Sequence, residues 1–200
     1  MVTSGTGRAS QLRICLVGGA LAWSSGCVRD PLPAHCRKLT AGELVVSEIR
    51  GPQKGSYRQW IELHNLGDAA VPVTGIRITM NRRDGTGALA LNVRDDELDV
   101  PPGGYFVVGG GDPGEYDYID FDYTPEHHSA EHPDEPSDLY GAAVLELTVC
   151  NSVVDEIEYE LPALGTLVRD GDDAWCLDER VMEALFGVRG TPGEANPPCP

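Results

Sequence analysis

The sequence predicts an all-β protein folded as an antiparallel β-sandwich, and three observations carry that prediction. Short segments rich in β-branched and aromatic residues recur along the chain, and several alternate apolar with polar positions. Clusters of Gly, Pro, Asn and Asp such as "GPQKG", "RRDGTG", "VPPGG" and "RDGDD" separate them. No repeated β-α alternation accompanies them, so a parallel sheet with crossover helices is excluded.

The strand candidates are, in order, "ELVVSEIR" (43–50), "QWIELHNL" (59–66), "VPVTGIRITM" (71–80), "ALALNV" (88–93), "YFVVGG" (105–110), "AAVLELTVC" (142–150), "VVDEIEYE" (153–160) and "AWCL" (174–177). In "WIELHN" a period of two puts Ile61 and Leu63 on one face and Trp60, Glu62 and His64 on the other. Trp60 is read as packing material, because large aromatics chiefly supply buried area. Between the fifth and sixth candidates lies a long acidic insertion, about 111–140. One short helix is expected near the end, with Asp178 as N-cap, Val181, Met182, Leu185 and Phe186 on one face, and Gly187 past its C-terminus.

Residues 1–26 read as a secretory signal peptide. Arg8 and Arg13 lie in a polar stretch without acids, followed by the apolar run "ICLVGGALAW", too short to span a bilayer. The run ends in "SSGC", which resembles a bacterial lipobox with Ser24 in place of the usual aliphatic residue. That resemblance implies cleavage before Cys27, membrane lipid on its sulfur, and a tether over 27–41. Val28 after Cys27 resembles lipoproteins sent to the outer membrane of a Gram-negative cell. The alternative is ordinary cleavage, giving a secreted or periplasmic protein.

Of six cysteines, Cys36, Cys150, Cys176 and Cys199 remain after the signal segment and the lipid site, an even number allowing two disulfides in three connectivities. No C-x-x-C pair exists among them, so neither a zinc ribbon nor a thioredoxin-like site has support. In a sandwich whose end segments lie close together, Cys36 is expected to pair with Cys199, and Cys150 with Cys176.

Composition sets the partners. The chain carries 15 basic and 32 acidic side chains, and loss of residues 1–26 leaves 13 against 32, a charge of −19. Between Arg94 and Arg169 there is no Lys or Arg, while 19 acids fall in that interval. Nucleic-acid binding is excluded, since phosphate recognition needs clustered Lys and Arg. Cations or basic proteins are favoured instead.

These segments, taken together, resemble the bacterial form of the lamin-tail domain, an immunoglobulin-like β-sandwich. The likeness covers 42–197 and rests on Glu48-Ile49, on Trp60 to Asn65 with Glu62 between them, on Gly67-Asp68, and on Pro102 to Tyr105 with Gly104 at the turn. "VVDEIEY", "GTLVRD" and "GTPGEAN" resemble the family's closing strands and terminal segment. "IRITMNRR", where the family usually has a Trp-containing strand, and the acidic insertion depart from the pattern. The resemblance also makes the strands of Glu48 and Glu62 neighbours. Paired carboxylates suggest a glycosidase, but no sugar-stacking groove accompanies them, and hydrogen bonding to loop backbone or to Arg58 is the expected role.

Two metal motifs fall in the insertion. His128 to His132 fits H-x-x-E-H, the pattern of zinc peptidases, but Pro125 and Pro133 flank it and a helix there has no apolar face to dock. His127, His128 and His132 offer at most adventitious transition-metal ligands. Asp112, Asp117, Asp120 and Asp122 supply the hard oxygen donors that calcium prefers, without an EF-hand frame. The chain therefore reads as a non-catalytic envelope lipoprotein with a binding or structural module, ordered by calcium if by any metal, and with no catalytic residues. Its expected partners are membrane lipid through Cys27 and an envelope or extracellular protein or polymer. The alternative is a secreted metal-dependent hydrolase using the acidic and histidine-bearing insertion.

Overall fold

The computed structural model describes residues 37–53, 59–111, 113–124, 138–182 and 188–200. The expected signal peptide, Cys27, Cys36, Arg58, Asp112 and the H-x-x-E-H segment lie outside the described residues. Along the chain the strands are β1 (Leu44–Arg50), β2 (Trp60–Asn65), β3 (Val71–Pro72), β4 (Ile76–Asn81), β5 (Ala88–Asn92), β6 (Asp99–Val100) and β7 (Tyr105–Gly109). They continue as β8 (Phe121–Asp122), β9 (Ala142–Val149), β10 (Ser152–Glu160), β11 (Thr166–Arg169), β12 (Trp175–Asp178), β13 (Val181–Met182) and β14 (Val188–Arg189).

Among the described residues, one sheet has six strands in the order β12-β11-β1-β2-β7-β8 and a second has four in the order β10-β9-β4-β5. Both contribute to one hydrophobic core, in which Leu44, Val46, Ile49, Ile61, Leu63, Phe106 and Val108 of the first sheet meet Ile76, Ile78, Met80, Leu91, Leu145, Leu147 and Tyr159 of the second. The protein is thus a β-sandwich-like, nearly all-β domain, as the alternation predicts. The pairing is antiparallel except between β7 and β8, which run parallel.

A register shift between Val46 and Glu48 makes Ser47 an extra residue in β1. Val46 and Ile49, three apart, therefore both reach the core, and Glu48 lands opposite Glu62 on the outer face. A matching irregularity lies between Val153 and Asp155 of β10. There Asp155 Oδ2 accepts from Val46 N at 2.9 Å and from Arg169 Nη1 at 2.9 Å. The β9–β10 hairpin closes on Cys150 and Asn151, both with positive φ (54° and 65°), the backbone that a two-residue primed turn requires.

Asn65 joins two turns. Its Nδ2 lies 2.9 Å from the carbonyls of Ala69 and Val100 and 3.1 Å from that of Pro101, and its Oδ1 accepts from Gly67 N at 3.0 Å. Gly104 closes the second turn: a Cβ there would lie 2.5 Å from Pro101 Cγ. Gln59 joins the two ends of the acidic insertion. Its carbonyl accepts from Gly110 N at 2.9 Å, its Oε1 accepts from Leu139 N at 2.8 Å, and its Nε2 donates to Asp138 Oδ1 at 2.7 Å.

The structure corrects two expectations, the helix and the disulfides, and adds a feature of the acidic insertion. Val181 and Met182, expected on a helix, form β13 and pair with β14, and Asp178, expected as N-cap, accepts from Arg180 N two residues on. Residues 183–187 lie outside the described residues. The acidic insertion is not wholly exposed. Ile119, Tyr123 and Leu139 are buried, because "YDYIDFDY" interleaves apolar with acidic residues and so can lay one side against the sheet. The disulfides differ too. Cys176 pairs with Cys199, their Cα atoms 5.7 Å apart, because the last residues return along the β11–β12 hairpin, where Cys199 N donates to Asp170 Oδ2 at 3.0 Å. Both expected pairings are thereby overturned.

Cys150 is itself disulfide-bonded, to a partner outside the described residues. Peptide mapping without reduction is expected to recover Cys176 linked to Cys199 and Cys150 linked to Cys36. Breaking the first bridge by Cys199→Ser removes a loop constraint worth about 3 kcal/mol in the chain-entropy model, so a drop in melting temperature is expected.

Candidate functional site: a buried carboxylate pair under the C-terminal segment

The outer face of the six-stranded sheet carries the residues singled out by the sequence. Glu48 and Glu62 are cross-strand partners, and Arg50 is opposite Trp60. All four are buried. Trp60 packs with Val107 and Val188, and the ring of Tyr118 meets it edge-on with centroids 5.5 Å apart. The Arg50 guanidinium lies 5.2 Å from the Trp60 ring centroid, and its Nη1 donates to Arg189 O at 3.3 Å. Trp60 is packing material, as expected.

The carboxylates are satisfied chiefly by the chain's last segment. Trp60 Nε1 donates to Glu48 Oε1 at 3.0 Å, and Thr191 N and Oγ1 each lie 3.0 Å from Glu48 Oε2. Ser47 Oγ lies 2.5 Å from Glu62 Oε1, and Gly193 N donates to Glu62 Oε2 at 2.6 Å. Asn196 fastens the same segment, its Nδ2 donating to Ser47 O at 2.8 Å and Arg169 O at 3.1 Å. Gly190 is required by this closeness: its φ is +116°, and a Cβ would lie 2.3 Å from Glu48 Oε1 and 2.9 Å from Trp60 Cζ2.

Burial raises the proton affinity of both carboxyls. Desolvation pushes Glu48 up to about 7 against the hydrogen bonds from Thr191 and Trp60, with Asp178 adding a like charge. Glu62 is pushed up well above its ordinary range by desolvation first and then by the charge of Glu48, with Asp120 adding to it. Glu48 has two N–H donors, Trp60 Nε1 and Thr191 N, besides the Thr191 hydroxyl, and Glu62 has one, Gly193 N, besides the Ser47 hydroxyl.

The arrangement can hold a strap; it does not present carboxylates to a substrate. Glycoside hydrolysis needs two carboxyl groups flanking a space for the sugar, and here the space is filled by Thr191, Gly193 and Trp60. The loop-backbone role expected for the pair is what the geometry provides. Among the described residues, the calcium candidates Asp117, Asp120 and Asp122 do not come together as a ligand set. Asp120 Oδ2 accepts from Val107 N at 2.7 Å, Asp122 accepts from Gly111 N and from Thr124 N and Oγ1, and Asp117 is exposed. Among the described residues, no group of three or more His, Cys, Asp or Glu side chains converges as metal ligands would.

No protein-family model matches this chain, and no curated protein matches it. The likeness to lamin-tail domains rests on the motifs alone. Sequence reasoning missed Ser47, Gln59, Thr191 and Asn196 as partners of the motif residues. A signal was present: two acids within apolar strands call for donors, and "GTPGEAN" is rich in small residues whose backbone can approach a side chain closely.

Two substitutions should separate the roles of the pair. Glu62→Gln keeps an acceptor for Gly193 and supplies a donor to Ser47, so stability at neutral pH is expected to change little. Glu48→Gln sets an amide group against one of three donors and is expected to cost on the order of 3 kcal/mol in denaturant unfolding. The pH profile follows from the same shifts. The folded state binds these protons more tightly than the unfolded state, so the contribution is fully present below the ordinary value of 4.5 and is lost as pH rises above it, through about 7 for Glu48. Unfolding curves across that window should show a decline that Glu62→Gln flattens.

Proposed function

We propose that the chain is a non-catalytic binding module of the lamin-tail type, an immunoglobulin-like sandwich held at the outer membrane by lipid on Cys27. The observation that carries the reading is the use of Glu48 and Glu62. The acids that a hydrolase would use on this face instead accept hydrogen bonds from the strap's amides and the neighbouring Trp60 and Ser47. The motif residues Asn65 and Gly104 likewise serve turn geometry. What such a scaffold leaves for recognition is its loops, above all the acidic insertion, whose two ends Gln59 holds together. A strongly acidic surface favours a basic envelope or extracellular protein, or a cationic polymer, over anionic partners.

The anchor can be tested directly. Mass spectrometry of membrane-extracted native protein is expected to show Cys27 as the first residue with acyl chains on it, two or three of them giving firm attachment. Unmodified Cys27 in that fraction would remove the anchor from the proposal, and hydrolytic activity lost on His128→Ala would remove the non-catalytic reading.

A further inference from the structure

The segment that covers Glu48 and Glu62 is held differently from the strands beneath it. Residues 190–200, "GTPGEANPPCP", include no aromatic side chain and no Leu, Ile, Val or Met, and Gly193, Glu194 and Ala195 are exposed. No residue of the segment belongs to the hydrophobic core, which lies on the other face of the sheet with Val46, Ile49, Ile61 and Leu63. Hydrogen bonds hold it instead: Thr191 N and Oγ1 to Glu48, Gly193 N to Glu62, Asn196 Nδ2 to the carbonyls of Ser47 and Arg169, and Cys199 N to Asp170. Each of these is exchanged for a bond to water when the segment lifts, so its net worth is small. Lifting also returns water to two buried carboxylates, which offsets part of the loss.

The two ends of the strap are tied unequally. At the near end Val188 packs with Trp60 and Val107, and Val188 and Arg189 pair with Met182 and Val181. Gly190 follows, with a φ of +116°. At the far end the tie is covalent: Cys199 is bonded to Cys176 of β12, an edge strand of the six-stranded sheet. The bridge spans a sequence separation of 23 and keeps the strap's donors at a high effective concentration over the carboxylates. Both cysteines are partly exposed, and Cys199 Sγ lies 3.4 Å from Ala174 O at the surface, so a thiolate in solution can reach the sulfurs.

We propose that the strap is a redox-gated cover: while the Cys176–Cys199 bridge stands it closes the carboxylate face, and reduction of the bridge lets residues 191–200 swing out about Gly190 with both sheets still packed. The reductant is a dithiol. One of its thiolates attacks Cys199 Sγ, the S–S bond breaks, and Cys176 leaves as a thiolate that takes up a proton. The second thiol then displaces Cys199 from the mixed disulfide, so the bridge gains two electrons and two protons and the dithiol ends as a disulfide. Opening uncovers Glu48 and Glu62, and reoxidation closes the face again. The device uses neither the lipid anchor nor the likeness to lamin-tail domains, and it stands independently of both.

Graded dithiothreitol on the purified full chain, followed by iodoacetamide and peptide mapping, tests the first step. Cys176 and Cys199 are expected to be labelled at a reductant level that leaves the far-UV circular dichroism unchanged. Hydrogen exchange tests the second. In the Cys176→Ser/Cys199→Ser protein, which keeps the Cys150 bridge, the amides of Thr191 and Gly193 should exchange at least about tenfold faster than in the bridged protein, well within what closing a loop of this size supplies. Those of Ile61 and Leu147, in central strands, should stay protected. The same rise is expected in the native chain at the reductant level that opens the bridge. A bridge reduced only as the dichroism signal is lost, unchanged exchange of Thr191 and Gly193 once the bridge is gone, or strap and core amides accelerating together would each overturn the proposal.

Discussion

Two carboxylates buried side by side dictate how the rest of this domain closes. A carboxyl group taken out of water without hydrogen-bond donors is too costly to keep, and Glu48 and Glu62 sit opposite one another in the middle of a sheet. The sheet's own amides are used in its ladders, so the donors have to come from elsewhere. Thr191 and Gly193 provide them from more than a hundred residues along the chain. The sandwich core and the strap are therefore coupled: the two sheets can pack on each other first, but the outer face is not satisfied until the last segment docks. Such contacts of long sequence separation are late and slow to form, and the Cys176–Cys199 bridge holds the segment close to the hairpin it must find.

The same constraint makes the two sheets unlike. The four-stranded sheet has the ordinary half-buried pattern, with β9 alternating between half-exposed and buried positions. The six-stranded sheet has β1 buried throughout. Its outer face is covered by Tyr118, Val188 and the strap, and its far edge is extended by β8 from within the acidic insertion. The insertion is thus partly structural. Its early residues finish the sheet and shield Trp60, and Gln59 brings its end back beside its beginning.

Much of this was legible from the residues. Alternation in "WIELHN" puts Ile61 and Leu63 on one face and Trp60, Glu62 and His64 on the other, and the main core cluster has Ile61 and Leu63 but not the other three. All eight strand candidates begin within about one residue of a described strand, within the usual uncertainty of element ends; one of them, 71–80, covers both β3 and nearly all of β4. What failed depended on distant partners. The 178–187 stretch has an amphipathic helical spacing, yet Val181 and Met182 are drawn into β13 by pairing with Val188 and Arg189, a case of tertiary context overriding a local pattern. The disulfides failed for the same reason. Cys199 lies near the β11–β12 hairpin because Thr191, Gly193 and Asn196 lead the chain there, and no local property of cysteine spacing encodes that path.

The extra residue at Ser47 shows why the carboxylate pair specifies the fold as well as burdening it. With strict alternation from Leu44 and Val46, Glu48 would point into the core and Ile49 out of it. The bulge reverses both, placing Ile49 against Ile61 in register and Glu48 against Glu62, while the displaced Ser47 uses its hydroxyl on Glu62 and its carbonyl on Asn196. A slipped register would strand a carboxylate in the hydrophobic core and leave the strap's amides without acceptors, two penalties at once. Buried acids are therefore a device against misregistry on a face where apolar residues would tolerate several alignments. The consequence for function is spatial. A sheet face occupied by its own C-terminal segment is closed to a partner, which leaves the loops and hairpin ends as the accessible surfaces.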